Sequence, residues 1–127
     1  DSTIVTITST GIDADGTPTL TALDSNRRFG AALADAGDLN ADGTTDLIIG
    51  APGVSGTSSG KVRILSGAPL ASANPFLSPL CDLEAPIPNV NDQFGSAVAL
   101  VGDTLAVGAI GEDVTASADG AAYLFTR

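Results

Sequence analysis

At 127 residues the chain is the size of one ordinary domain, and 15 acidic against 5 basic residues give it a formal charge of −10. A surface field of that sign repels phosphate backbones and anionic headgroups, which argues against nucleic acid and membrane surfaces as partners. No apolar run reaches transmembrane length, so membrane insertion is not expected either. Thirteen of the fifteen acids are Asp, many beside Gly or Asn, and a divalent cation is the partner this composition invites.

In chain order, residues 3–8 alternate β-branched side chains, Asp13-Ala14-Asp15-Gly16 makes a turn, and residues 19–23 return, which predicts a hairpin. Gly11 and Thr19 stand where a cation loop around that turn needs its first and last ligands, so it is read as a plain turn. Further strands are expected near 30–35, 46–50, 61–66, 80–84, 95–101, 104–109 and 121–126. Each is an apolar or β-branched run bounded by Gly, Pro or Asp, and no helical periodicity competes. The lone cysteine, Cys81, lies in Leu80-Cys81-Asp82-Leu83 and is expected as a buried structural thiol, with an intermolecular bridge as the alternative.

Between the second pair of expected strands, Asp38-Leu39-Asn40-Ala41-Asp42-Gly43-Thr44-Thr45-Asp46 places oxygen ligands at positions one, three, five and nine. The Thr44 carbonyl is available at seven. Calcium takes six to eight such oxygens, and Gly43 at position six permits the turn that wraps the chain around an ion. An EF-hand needs a bidentate Glu at position twelve and flanking helices. Here position twelve is Ile49 in a strand-like run, so the loop joins two strands. Magnesium is disfavoured by its stricter octahedral geometry. The expected ligands are therefore Asp38, Asn40, Asp42, Thr44 and Asp46, and the expected ion is calcium (Ca2+). Glu112, Asp113 and Asp119 form an acidic loop that offers at most a weak second cation site.

Three landmarks occur twice in the same order. Phe29-Gly30-Ala31-Ala32-Leu33 is answered 65 residues later by Phe94-Gly95-Ser96-Ala97-Val98; Asp46-Leu47-Ile48-Ile49-Gly50-Ala51-Pro52 by Asp103-Thr104-Leu105-Ala106-Val107-Gly108-Ala109-Ile110; and residues 60–65 by residues 120–125. Both phenylalanines are expected in the core, a large aromatic beside a glycine that lets neighbouring sheets approach.

These landmarks resemble the FG-GAP repeat of the integrin α-chain propeller and of many bacterial secreted and surface proteins. The first copy carries Phe29-Gly30, the calcium loop and Gly50-Ala51-Pro52. The second keeps Phe94-Gly95, has Gly108-Ala109-Ile110 for the last triplet, and cuts the loop to Val101-Gly102-Asp103, so no calcium site is carried over to it. The resemblance implies an all-β fold of about two four-stranded antiparallel propeller-type blades, incomplete as a closed propeller. The chain divides into a hairpin completing a preceding blade (1–28), a calcium-binding repeat (29–90) and a loop-less repeat (91–127). Extracellular placement, secreted or at the cell surface, is implied as well, and a start at Asp1 fits a processed chain and an excised piece equally.

For catalysis the chain offers no His and no cysteine pair. The loop at Gly56, Ser58, Ser59 and Gly60 lacks the lysine of a phosphate-binding loop at the required spacing. A carboxylate pair for glycoside hydrolysis is the one enzymatic possibility the composition leaves open, and a non-enzyme is expected. Two readings remain. One is a self-assembling structural module that forms homo-oligomers, a ring or a filament, through open strand edges, with residues 4–7 as the donated strand. The other is an adhesion module, excised from a larger propeller, that takes a protein or glycan ligand.

Overall fold

The computed structural model describes residues 28–53, 58–68, 79–113 and 119–126. The expected hairpin within residues 1–27 lies outside them. Among the described residues there are seven strands: β1 (Ala32–Gly37), β2 (Asp46–Ala51), β3 (Lys61–Leu65), β4 (Pro79–Leu83), β5 (Phe94–Val101), β6 (Thr104–Ala109) and β7 (Ala121–Thr126). They form two antiparallel meanders, a four-stranded sheet in the order β1-β2-β3-β4 and a three-stranded sheet in the order β5-β6-β7, with no closed barrel. The fold is all-β, and the two sheets correspond to the two copies of the repeat.

The connections follow the turn chemistry. Val101 pairs with Thr104 across Gly102-Asp103, a two-residue hairpin turn in which Gly102 takes a positive φ of 59°. At the same point of the first repeat, β1 and β2 are separated by the loop 38–45, and the register shifts between Asp35 and Gly37 as the chain leaves the ladder.

The two sheets differ in how many faces they bury. In β2, Ile48 belongs to one apolar cluster and Ile49 to another, so both faces are covered and the strand reads as an unbroken apolar run. In the three-stranded sheet burial alternates along every strand, with one face inward and one exposed. Phe94, fully buried, is the hub of the main cluster. Tyr123 and Phe125 meet it edge-on with ring centroids at 5.6 and 6.0 Å. The Phe94 N–H donates to the Ser59 carbonyl at 2.8 Å, so the second repeat is also fastened to the first through backbone.

Two burial expectations need correction. Phe29 is half-buried: it packs beside the smaller cluster of Ile49 and Leu65, unlike its fully buried counterpart Phe94. Cys81 is exposed. It pairs with Ile64 and so shares the face that meets the second sheet, but β5 lies chiefly over β1 and β2 and only marginally over β3. Strand β4 stands at the rim of the covered area, and an apolar neighbourhood in sequence does not bury a side chain there. On the opposite face of the same pair of strands, Arg63 grips Asp82 through Nε and Nη2, both at 2.6 Å, with the guanidinium buried.

Candidate metal centre

The loop between β1 and β2 is held by its own acid side chains. Both oxygens of Asp38 accept backbone N–H groups, Oδ1 from Asp42 and Oδ2 from Gly43, each at 2.9 Å. Asn40 Oδ1 accepts from the Asp42 N–H at 3.0 Å, and Asp42 Oδ1 from the Thr44 N–H at 2.9 Å. These bonds curl the chain into consecutive turns, with Ala41 and Gly43 at φ of 59° and 84°.

Asp46 has a different task. It is buried, and its carboxylate accepts the Leu39 N–H on Oδ2 and the Gly67 N–H on Oδ1, each at 2.9 Å. One side chain therefore ties the start of the loop to the exit of β3. Ser66 makes a second tie: its hydroxyl donates to Asp42 Oδ2 at 3.0 Å and accepts from Asn40 Nδ2 at 3.2 Å. Ser66 was not anticipated, because a residue 24 positions from Asp42 in the chain reaches the loop only through the β2–β3 pairing.

Four of the five expected ligands thus meet in one hydrogen-bonded unit with side-chain contacts, and Thr44 joins it through its backbone. They do not converge on a single point. Among the described residues, no group of three or more carboxylates, imidazoles or thiols is drawn together closely enough to hold an ion.

The donor chemistry nevertheless suits a hard cation: three carboxylates, an amide and a carbonyl within nine residues. Most of the carboxylate oxygens accept one N–H, and an oxygen with two lone pairs keeps one to offer. Among the described basic side chains, Lys61 is engaged with Glu84 and Arg63 with Asp82. The exception is Asp42 Oδ2, which accepts both Asn40 Nδ2, at 2.7 Å, and Ser66. The Asn40 amide, with the other hydrogen bonds to this side chain, holds the exposed Asp42 carboxyl below its ordinary range. Seating an ion on that oxygen would require the Asn40 amide and the Ser66 hydroxyl to turn their hydrogens away from it.

The acidic loop after β6 is divided. Asp113 and Asp119 are exposed, whereas Glu112 turns inward and its Oε2 is buried without a hydrogen-bond partner. Beside it stands Asp92, also buried, whose Oδ2 accepts the Asn89 N–H at 2.5 Å and whose carbonyl accepts the Gly111 N–H at 2.9 Å. Burial, the hydrogen bond to Glu112 and the charges of Glu112 and Asp92 together push the Tyr123 hydroxyl above its ordinary value. Sequence reasoning singled out Glu112 and passed over Asp92. The available signal was its place two residues before Phe94-Gly95, at the point where the second repeat joins the first.

Two family models match the chain, both described as FG-GAP repeat, one over residues 29–65 and the other over residues 83–125. The first spans β1 to β3 with the loop, and the second spans β5 to β7. No curated protein matches the chain.

Proposed function

The chain belongs to the FG-GAP repeat family, and from that premise we propose that it is a calcium-held structural module of the extracellular space that binds or assembles rather than catalyses. Repeats of this family form a structural and binding fold of β-propeller type and typically occur in extracellular or surface proteins. Among the described residues no helix is long and apolar enough to cross a membrane. The observation that carries the proposal is the loop itself. Asp38, Asn40, Asp42, the Thr44 N–H and Asp46 form one hydrogen-bonded unit whose buried member, Asp46, already joins β1's exit to β3's exit.

A calcium ion in that loop neutralises carboxylates that otherwise repel one another and stiffens the sheet edge at that end. Its role would be structural, since five ligands from one loop would supply most of the six to eight oxygens calcium takes and leave little room for substrate. Calorimetry of the folded chain with calcium tests this: one binding event per chain is expected, and its absence defeats the metal assignment.

Assembly is supported by a difference between the sheets. In the first, β4 pairs along the outer edge of β3. Strand β7 is the counterpart of β3, and among the described residues no strand pairs along its outer edge. An open edge of this kind takes an added strand, and residues 4–7 of a neighbouring copy are the proposed donor. Deletion of residues 1–10 is expected to abolish the ordered assembly. An adhesion role with a protein or glycan ligand rests on the family alone.

A further inference from the structure

Two acidic side chains are buried where the connection before β5 meets the connection after β6. Asp92 is exposed by 2% and Glu112 by 6%. The Asp92 carbonyl accepts the Gly111 N–H at 2.9 Å, and a β-carbon at Gly111 would collide with the Asn91 carbonyl, so the two connections are pressed together. Backbone bonds fix Glu112 from both sides: its N–H donates to the Ala109 carbonyl at 3.3 Å, and its carbonyl accepts the Gly120 N–H at 2.9 Å. Asn91 and Gln93, flanking Asp92, both take left-handed φ values, 83° and 55°, a conformation that residues other than glycine adopt at some cost.

The pair is not neutralised. Among the described residues the ion pairs of Lys61 with Glu84 and of Arg63 with Asp82 lie elsewhere, and no basic side chain pairs with Asp92 or Glu112. Asp92 Oδ2 accepts the Asn89 N–H at 2.5 Å and Glu112 accepts the Tyr123 hydroxyl, but Glu112 Oε2 is buried with no hydrogen-bond partner. A buried acid oxygen without a donor or a cation is costly, and two neighbouring carboxylates repel each other. We propose that Asp92 and Glu112 hold a second calcium ion, separate from the one at the 38–46 loop, which fastens the connection before Phe94-Gly95 to the one after β6. A divalent ion matches the two charges, and carbonyl and water oxygens complete the shell. Magnesium fits less well, because it gives up water reluctantly and a buried site must strip part of its shell. The exposed Asp113 and Asp119 on the same connection concentrate cations beside the site. With two carboxylates against the loop's three, it is the weaker site and fills above the calcium concentrations that saturate the loop. The loop's own calcium response is therefore read below that range.

The chain has one tyrosine and no tryptophan, and that tyrosine touches Glu112. Terbium(III) bound in place of calcium is therefore expected to luminesce when Tyr123 is excited, and added calcium to displace it. Glu112→Gln and Asp92→Asn should each weaken terbium binding by about tenfold or more, since the loss of a ligand exceeds the loss of a supporting contact. Asp42→Ala, in the loop, leaves the signal in place. Thermal melting verifies that the variants are folded. Calorimetry of Asp42→Ala with calcium is expected to show one weak binding event per chain, which the double variant with Glu112→Gln lacks. Absence of sensitised emission from the wild-type chain overturns the proposal, as does absence of a calcium event in Asp42→Ala. Emission that survives Glu112→Gln also overturns it, and its loss in Asp42→Ala then assigns the signal to the loop. A wild-type chain whose single calcium event disappears in Glu112→Gln supports this site and defeats the loop, so the two metal readings fail separately.

Discussion

Gly50 and Gly95 meet backbone to backbone between the two sheets, the carbonyl of the second filling the space a side chain on the first would need. The Phe-Gly of one repeat and the Gly-Ala of the repeat before it are two halves of a single contact. Glycine is required on both sides, with Gly95 at a φ of 91° as well.

Substitution separates the closed copy of that contact from the open one. Gly50→Ala forces backbone apart in a packed interface and is expected to destabilise by about 1–3 kcal/mol, the range of overpacked cores. Gly108→Ala meets only its own sheet's side chains and is expected to cost well under half as much. Urea unfolding of the two variants makes the comparison, and equal losses contradict the distinction between a filled seat at Gly50 and an open one at Gly108.

Calcium is expected to raise the melting temperature, by mass action worth about 2.7 kcal/mol at a hundredfold excess over Kd. Asp42→Ala removes a proposed ligand together with its bonds to Asn40, Thr44 and Ser66, and the melting temperature of this variant should no longer respond to calcium. Because the Asp42 carboxyl is held below its ordinary range in the fold, its contribution is present above that range. It fades as pH falls through the lowered value.

Phe94→Ala empties the centre of the main cluster and strands the rings of Tyr123 and Phe125, for an expected loss of about 3–5 kcal/mol. Phe29→Ala acts on a half-buried ring and should cost clearly less. Wild-type stability in Phe94→Ala contradicts the role assigned to the second repeat.

Tyr123 is the chain's single tyrosine, and there is no tryptophan, so its ionisation is read directly by ultraviolet absorbance. The midpoint is expected above the ordinary value of about 10. Glu112→Gln should lower it while burial keeps part of the shift. A raised value means the folded state holds the proton more tightly than the unfolded chain. The corresponding stability is present below the ordinary value and disappears as pH rises through the folded one. A midpoint unmoved by Glu112→Gln contradicts the contact.

Among the described residues, the strands, the long and short β-hairpin connections, the two-fold repeat and the loop's run of Asp and Asn side chains were legible in the sequence, because each is written locally. Period-two apolar runs make strands, Gly102-Asp103 makes a two-residue turn, and alternate Asp and Asn around Gly43 bring oxygens to one loop. Only the tertiary structure decided burial and partnership. Cys81 sits among apolar neighbours and is exposed because the second sheet stops short of β4. Phe29 and Phe94 occupy equivalent positions, yet only Phe94 is fully enclosed, by rings from β7. Ser66 reaches Asp42, and Glu112 turns inward beside Asp92, across separations that no local pattern spans. What lies over a strand is set by other parts of the chain, and alternation along one strand carries no record of which of its faces finds a cover.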